Sequence, residues 1–304
     1  MSEQRITIGL PVFNGERFIR QSIETILCQT YSHWKLVISD NASTDGTLKI
    51  CLEYAARDGR ISVVRKAKNI GLARNFNSLL LKSATTYFKW QAHDDLCHPT
   101  FLEKAVDELD KHQDAVLAYS TSVPIDEFGE VRNDSQYSSD TWNDRINYDC
   151  RDPVERSKRF IRHGRPPAPV YLFGLMRTSA AIRTRLMGSY MVADEIFLLE
   201  MLFQGGFRHI DEALFFVRNY DDNASALILS GDLAGLQERL DPKLASFVSL
   251  QISRYRRYLE YYIGTLRSPM SRSQKAALLS HSTGHTARRL LFIVKRHAQN
   301  NAVW

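Results

Sequence analysis

Acidic side chains follow several short apolar runs of the sequence, at places where they could act on a sugar or phosphate ligand. Asp94 and Asp95 are adjacent, and neighbouring carboxylates repel each other unless a cation or strong donors compensate their charge. A divalent cation holding a diphosphate would do so, because hard cations bind carboxylate and phosphate oxygens together. A helix N-cap followed by an acid in the first turn explains the pair equally well.

Two further acidic positions permit other steps of the same chemistry. Asp40 ends an apolar run, where its carboxylate can accept from the imide N–H of uracil or guanine; a loop or cap aspartate is the competing interpretation. Asp194 and Glu195 precede an apolar helical run. A carboxylate held rigidly there could be the general base for a sugar hydroxyl, and an ordinary acidic first turn is the alternative.

Several other chemistries lack their motifs. The sequence contains no GxxxxGK[ST] loop, no GxGxxG after its first apolar run, and neither HExxH nor GxSxG. The spacing of His93, Cys97 and His98 matches no standard zinc pattern. The four cysteines form no CxxC pair, which predicts reduced thiols in a cytosolic protein.

The elements that carry these residues alternate between strand and helix patterns in the first 120 residues or so. This alternation predicts an α/β fold with a mostly parallel sheet and helices on both faces. Such sheets bind ligands beyond the carboxyl ends of their strands, where the polar clusters lie. The predicted strands are 6–12, 34–39, 61–64, 87–90 and 115–119, with helices between them, including 72–81.

The remainder of the chain is less regular. Residues 122–150 are polar and turn-rich, which predicts a hairpin followed by a loop. A strand over 170–176, a helix over 194–203 stopped by Gly205-Gly206, and a strand over 214–218 follow. From about residue 227 the pattern is helical to the end.

The composition is that of a globular protein. Of 304 residues, 44% are hydrophobic and 24% are charged, and the net charge is +6. This balance favours anionic partners, but no basic recognition motif supports nucleic acid as the partner. The N-terminus does not resemble a signal peptide, and no apolar run approaches the roughly 20 residues of a membrane-spanning helix.

Taken in order, these segments resemble the motifs of the inverting glycosyltransferases of family 2. The resemblance implies the GT-A nucleotide-diphospho-sugar transferase fold over residues 1–226, with a nucleotide-sugar half at about 1–121 and an acceptor half at about 122–226. A helical C-terminal region, 227–304, would follow. The matching segments are Ile8–Gly15, Gln29–Leu36, Asp40–Thr47, Asn69–Asn75 and His93–Pro99, with Asp194 eleven residues before Gly205.

The resemblance also implies roles for individual residues. Asp95 would ligate Mg²⁺ or Mn²⁺, and Asp194 would be the catalytic base that deprotonates an acceptor hydroxyl. Asp40 would contact the base of the nucleotide. The nucleotide-sugar-binding set would be Pro11, Phe13, Asn14, Asp40, Asn69, Arg74 and Asp94.

The chain departs from the family pattern at three positions. Ala92 stands where the family often has another Asp, and Tyr220 stands where it often has a His. The acidic neighbour of Asp194 follows it, as Glu195, which makes Glu195 the second candidate for the base. These departures motivate an alternative: a degenerate member that binds nucleotide sugar or a partner without turnover.

The resemblance leads us to expect a cytoplasmic, metal-dependent enzyme that uses a nucleotide-diphospho-sugar, with a UDP-sugar favoured. The acceptor would be a glycan or lipid-linked hydroxyl in surface polysaccharide biosynthesis. Arg177 could meet an anionic acceptor or be a surface arginine at a strand end. The basic, amphipathic run 288–296 could lie on the inner face of the membrane, pack on the domain, or form the interface of a homodimer.

Overall fold

A computed structural model of the chain describes residues 4–132, 148–163, 171–190, 192–220 and 247–300. The strands are β1 (Ile6–Val12), β2 (Trp34–Asp40), β3 (Ile61–Arg65), β4 (Tyr87–Trp90), β5 (Leu96–Cys97), β6 (Ala115–Ile125), β7 (Leu175–Arg177) and β8 (Gly206–Arg218). The helices are α1 (Ile19–Leu27), α2 (Thr47–Arg57), α3 (Leu72–Leu80), α4 (Phe101–Lys111), α5 (Pro153–His163), α6 (Thr178–Ala181), α7 (Ala193–Leu202), α8 (Phe247–Arg267) and α9 (Arg272–Asn300).

The eight strands form one sheet in the order β3-β2-β1-β4-β7-β6-β8-β5. The pairs β1–β2, β1–β4, β2–β3 and β6–β8 are parallel, and β4–β7, β6–β7 and β5–β8 are antiparallel. Helices flank this sheet, so the predicted α/β class with a mostly parallel sheet is confirmed.

The central strand β1 is apolar because it has neighbours on both sides and helices over both faces. All seven of its residues are buried, as expected for a parallel strand inside an α/β protein. Its pairing with β4 covers only Ile6–Gly9. Pro11, which has no N–H to donate, therefore lies where β1 is paired with β2 alone.

The structure corrects two predicted elements. The predicted strand 170–176 is wrong over residues 171–174, where Gly174 N donates to Tyr171 O at 3.0 Å in a turn, and strand β7 begins at Leu175. Residue 170 lies outside the described residues. Residues 122–125 extend β6, and the predicted hairpin is reduced to a single bridge between Ile125 and Val131. The loop predicted up to residue 150 falls partly outside the described residues, at 133–147.

The last strand is longer than predicted, because β8 begins at Gly206 and runs beside β6. The two-residue strand β5 escaped prediction, since two residues carry no periodicity.

The C-terminal half of the described chain is largely helical. Helix α7 is buried at every position except Asp194, so it is surrounded by other elements and apolar almost all round. Helix α8 packs against α7, and α9 packs against α8 and α5. Within the described ranges, no helix is both long and apolar enough to cross a membrane.

Candidate functional site

The loops after β1, β2 and β4 meet at the carboxyl edge of the sheet. Asn41 N donates to Val12 O at 2.8 Å, which joins the ends of β1 and β2. Gly15 faces the His93 ring: a Cβ there would lie 2.6 Å from His93 Cδ2. The glycine therefore permits the loop after β1 to contact the loop after β4, and the aspartate pair is brought to this edge.

Asp40 presents one carboxylate oxygen that is buried and unused. Its side chain is fully buried, and Oδ1 accepts from Ser43 N at 3.1 Å. Oδ2 has no hydrogen-bond partner among the described residues, and the nearest cation is Arg65 Nε at 3.8 Å. A buried acceptor without a donor costs free energy. Phe13, 40% exposed just after β1, supplies an aromatic face at the same edge.

The loops beside Asp40 are held together by their own polar side chains. Asn14 is left-handed (φ 52°), and its Oδ1 accepts from Thr44 N at 2.9 Å. Asn14 N donates to Ser43 Oγ at 3.0 Å. Ala42 is also left-handed, with φ 66°, a conformation that costs a residue with a Cβ about 1 kcal/mol or more. The loop after β2 thus retains a strained shape through contacts with the loop after β1.

Asn69 joins two loops. Its Oδ1 accepts from Asn41 Nδ2 and from Gly71 N, both at 2.8 Å, while Asn41 Oδ1 accepts from Ile70 N at 3.0 Å. Asn69 therefore fixes the loop between β3 and α3 against the loop after β2. Arg74 is exposed on the first turns of α3, where its guanidinium is available to an anion.

Asp95 is buried at the turn after β4. Its Oδ1 accepts from Arg218 N at 2.9 Å, and Gln91 Nε2 donates to Asp95 O at 2.9 Å. Burial raises the pKa of Asp95 well above its usual value, and the negative charge of Asp94 raises it further. The Arg218 N–H and the Lys89 ammonium offset this only in part. The protein by itself therefore disfavours the ionised form of Asp95, and a bound cation would favour it.

Asp94 is paired with the residue that replaces the family histidine. Tyr220 OH donates to Asp94 Oδ2 at 3.0 Å, and the Tyr220 ring packs on Phe18 with centroids 4.8 Å apart. His93 Nδ1 lies 3.7 Å from Asp94 Oδ1. The position that the sequence singled out as a departure thus donates a hydrogen bond to the aspartate pair.

Arg218 is a buried side chain whose role the sequence did not indicate. It is 1% exposed at the end of β8, and its Nε donates to Asp94 O at 2.8 Å. Its Nη atoms donate to Glu127 O at 2.8 Å and to Gln21 Oε1 at 2.7 Å. The guanidinium therefore joins β8, α1 and the turn after β6 around the aspartate pair. The available signal was a charged residue ending the apolar run Leu214–Arg218.

The segment after α1, Gln29 and Thr30, forms hydrogen bonds with the residues that follow the aspartate pair. Gln29 Nε2 donates to His98 O at 2.8 Å, and Gln29 Oε1 accepts from Leu102 N at 3.0 Å. Thr30 N donates to Pro99 O at 2.9 Å. Two motifs about 70 residues apart in sequence are therefore one structural unit, which explains their joint presence.

The aspartate pair suits a hard divalent cation that brings further ligands with it. Asp94 and Asp95 supply oxygen donors of the kind Mg²⁺ and Mn²⁺ prefer, and burial and the charge of Asp94 raise the pKa of Asp95. In the ranges that the structure covers, no three His, Cys, Asp or Glu side chains converge as a complete ligand set. A cation here would draw its remaining ligands from a diphosphate and water.

The structure separates the two candidates for the base. Asp194 is the one residue of α7 that is not buried. Glu195 is 4% exposed; its Oε1 accepts from Tyr261 OH, and its Oε2 lies 3.4 Å from Arg257 Nε. Glu195 is thus enclosed and ion-paired, and Asp194 is the more accessible of the two carboxylates.

Arg177 behaves as a structural arginine. Its Nε donates to Ala115 O at 2.8 Å and its Nη2 to Leu109 O at 2.6 Å. It pairs with Tyr87, at the start of β4, and thus lies at the edge of the sheet opposite the aspartate pair. Of the two interpretations of Arg177, the structure supports the one without an acceptor role.

Known proteins resemble the chain in sequence over about two fifths of its length. EpsE of Bacillus subtilis, whose name assigns it provisionally to the glycosyltransferases, is 38% identical over 129 residues, covering 42% of this chain and 46% of EpsE. TuaG of B. subtilis, provisionally a teichuronic acid biosynthesis glycosyltransferase, is 29% identical over 129 residues, covering 40% of this chain and 51% of TuaG. The chain thus matches about half the length of these relatives.

Solved structures resemble it over nearly the whole chain. S. aureus TarS 1-349 in complex with UDP-GlcNAc superposes with a TM-score of 0.67 at 14% identity, covering 92% of this chain and 72% of that one. This likeness shows the fold, which is that of the GT-A glycosyltransferases. The model of Glycosyl transferase family 2 matches residues 7–170, more than half of the sequence, and the chain therefore belongs to glycosyl transferase family 2.

Proposed function

We propose that this protein transfers a sugar, with inversion, from a nucleotide-diphospho-sugar to a hydroxyl of a glycan or lipid-linked acceptor in surface polysaccharide biosynthesis. Family membership supports the activity. TuaG, named for teichuronic acid biosynthesis, supports the kind of product. TarS bound to UDP-GlcNAc and a mannosyltransferase from Pyrobaculum calidifontis bound to GDP-Man and Mn²⁺ support the class of donor.

The observation that carries the proposal is the buried, unused Oδ2 of Asp40. The protein leaves this acceptor without a donor among the described residues, and a ligand N–H would supply one. The adjoining loops are fixed by Asn14 and Asn69, so the acceptor is held in place before a ligand arrives.

The same geometry favours uracil over guanine. Ser43 N already donates to Oδ1, so Oδ2 is the oxygen of Asp40 that lacks a hydrogen bond. Uracil presents one imide N–H between two carbonyls and needs one acceptor, whereas guanine presents N1–H and an N2 amine side by side and would need Oδ1 to accept a second hydrogen bond. Arg65, whose Nε lies 3.8 Å from Oδ2, can donate to a neighbouring base carbonyl. We therefore propose a UDP-sugar as the favoured donor.

Asp194 would act as the general base of the transfer. Its carboxylate takes the proton of the acceptor hydroxyl while the acceptor oxygen forms a bond to the anomeric carbon. The bond from that carbon to the diphosphate oxygen breaks on the opposite side, and the nucleoside diphosphate leaves with the electron pair. Attack opposite the leaving group inverts the anomeric centre. Such a base contributes typically 10²–10⁴-fold to the rate.

A divalent cation at Asp95, with Asp94 beside it, would neutralise charge on the departing diphosphate when bound. The residues of this chain have their own tasks there. Tyr220 orients Asp94 through its hydroxyl, and Arg218 N holds Asp95. Arg74, which is exposed on α3, would contact the diphosphate or the sugar. Removing divalent cations with EDTA should therefore abolish turnover.

The test is nucleoside diphosphate release from UDP-, GDP- and dTDP-sugars, with calorimetry of nucleotide binding on the same samples. We expect release from a UDP-sugar, loss of UDP affinity of about 10-fold or more in Asp40→Asn, and lost turnover with retained binding in Asp194→Asn. Asp110→Asn, a carboxylate paired with Arg5 away from this edge, is the matched control and should leave both unchanged.

Two results would contradict the proposal. No binding of any nucleotide would exclude the transferase altogether. Binding without turnover, in the presence of extracts that contain lipid-linked and glycan acceptors, would instead favour the degenerate family member that Ala92 and Tyr220 suggest.

A further inference from the structure

Helix α7 contains two buried acids whose charges need polar or charged partners within the protein. Glu195 is 4% and Glu200 is 7% exposed, and burying a carboxylate without partners costs several kcal/mol. Both acids receive their partners from residues outside the segment that matches the family model, which ends at residue 170. The partners therefore show which part of the chain holds α7.

Glu195 is held by α8. Tyr261 OH donates to Glu195 Oε1, and Arg257 Nε forms an ion pair with Glu195 Oε2 at 3.4 Å. Burial and the charge of Glu195 raise the pKa of Tyr261 well above its usual value, so its hydroxyl remains a neutral donor. We call these three residues, Glu195, Arg257 and Tyr261, the latch.

A second set of hydrogen bonds and ion pairs connects α7 and α8 further along, through Arg185. Arg185 N and Nε donate to Glu200 at 2.7 and 2.5 Å, and Arg185 Nη1 donates to Glu260 at 2.7 Å. Arg256 Nε donates to Glu260 at 2.9 Å. Helix α7 is thus attached to α8 at both its first and its second turn.

The latch lies next to the proposed base in the sequence. Adjacent helical residues point about 100° apart, so Glu195 faces α8 while Asp194 is the one position of α7 that is not buried. Rotation or tilt of the first turn of α7 would move Asp194, and a displacement near 1 Å costs catalysis about 10²-fold.

We propose that the latch positions Asp194, which makes the C-terminal helix α8 part of the catalytic unit. This inference rests on the proposed function. Arg257 and Tyr261 are positioning residues: they act through Glu195 and the orientation of α7. Loss of the latch should lower the turnover number and leave nucleotide-sugar binding intact, since Asp40 and the aspartate pair lie on other elements.

Tyr261→Phe tests the latch with a change of one oxygen atom. Tyr262→Phe is the matched control, because it removes the neighbouring hydroxyl of α8, which pairs with Thr283 Oγ1 on α9 at 3.0 Å. We would measure hydrogen–deuterium exchange of the α7 amides, and kcat and KM for donor hydrolysis. We expect faster exchange at the start of α7 and a kcat lower by about 10–100-fold in Tyr261→Phe alone, with KM unchanged.

The two readouts distinguish the possible failures. Unchanged exchange in α7, or faster exchange with an unchanged kcat, would overturn the positioning role. A rise in KM that matches the fall in kcat would overturn it too, since the latch would then support the donor site as a whole. If the wild-type protein releases no nucleotide from any donor, the proposed function fails, and the exchange data still show whether the latch fixes α7.

Discussion

At the scale of single residues, the site combines unused hydrogen-bonding capacity with local backbone strain. The unused capacity is the Oδ2 atom of Asp40, which has no donor among the described residues. The strain is at Ala42, whose φ of 66° is left-handed. Asp40 and Ala42 are two residues apart at the end of β2. Sites that bind ligands commonly store strain of this kind, which the surrounding contacts maintain.

The strain at Ala42 should be measurable as stability. We expect Ala42→Gly to raise the free energy of unfolding by roughly 0.5–1 kcal/mol, because glycine removes the left-handed cost but loses more chain entropy. Urea unfolding monitored by circular dichroism would measure it. Ala55→Gly, in the right-handed helix α2, is the control and should instead lose about 1 kcal/mol. A loss of stability in Ala42→Gly would contradict the argument.

Lys89 makes stability depend on pH. It is fully buried between the rings of Phe101 and Phe215, and burial lowers its pKa from 10.5 to about 8. Above pH 8 the folded protein has released a proton that the unfolded chain retains up to about pH 10.5. The contribution of Lys89 to the free energy of unfolding should therefore rise with pH in this window, by on the order of 2 kcal/mol between pH 8 and 10. The buried thiols of Cys51 and Cys97, whose pKa values burial raises to about 12 and about 11, contribute in the opposite direction.

A variant without Lys89 shows how much of the pH dependence of the free energy of unfolding is due to this residue. Urea unfolding at pH 7, 8, 9 and 10 should show the free energy of unfolding of the wild type increasing relative to that of Lys89→Met. Lys111→Met is the control, because Lys111 lies at the surface beside Asp107, which raises its pKa. An equal pH dependence of the free energy of unfolding in the wild type and in Lys89→Met would show that Lys89 does not contribute to it.

At the scale of elements, Arg218 connects the strands and helices around the aspartate pair. Lysine cannot reproduce its fork of donors to Asp94 O, Glu127 O and Gln21 Oε1. We expect Arg218→Lys to lower the free energy of unfolding by about 3 kcal/mol, because buried acceptors lose their donors. Chemical denaturation would measure the loss.

Arg208 provides the control in the same strand. It is partly exposed and forms ion pairs with Glu108 and Asp149, and exposed pairs contribute about 1 kcal/mol or less. Arg208→Lys should therefore cost less than 1 kcal/mol. Equal losses in the two variants would contradict the assignment of Arg218 as the buried connection.

At the scale of the whole molecule, the charge is divided between two regions. Residues 261–304 contain seven Lys or Arg and no Asp or Glu, whereas residues 1–260 contain 33 basic and 34 acidic residues. The end of α8 and the whole of α9 therefore carry the net positive charge. From this division we propose that the C-terminal region contacts an anionic membrane surface, where each basic residue contributes about 1 kcal/mol.

Vesicle binding tests this proposal. The protein should sediment with vesicles rich in phosphatidylserine but not with pure phosphatidylcholine, and the binding should weaken as salt is raised. Replacing Arg288, Arg289, Lys295 and Arg296 with Gln should reduce binding at least 10-fold. Replacing Arg57, Arg60, Arg65 and Lys66 with Gln removes the same charge near β3 and is the control. Equal effects of the two sets would overturn a specific role for α9; homodimer formation stays a separate prediction.

The sequence by itself determined the architecture and the edge at which the site lies. Strand and helix periods are local properties of side chains, so β1, β2 and β4 were predicted within one or two residues. Asp40, Asn69 and Asp95 follow or end such strands, and parallel strands carry their carboxyl ends to one edge. Short β5 and the turn before β7 were not predictable, because their conformation depends on neighbours rather than on a pattern.

Only the tertiary structure decided which hydrogen-bond and ion-pair partners each polar group has within the protein. Tyr220 meets Asp94 across 126 residues, and Glu195 meets Tyr261 across 66. Arg177 proved to hold backbone carbonyls at the far edge of the sheet. A side chain's partner depends on how the sheet and helices close around it, and burial then decides whether its charge must be compensated within the protein. That closure gave Glu195 its buried partners and left Asp194 as the one residue of α7 that is not buried.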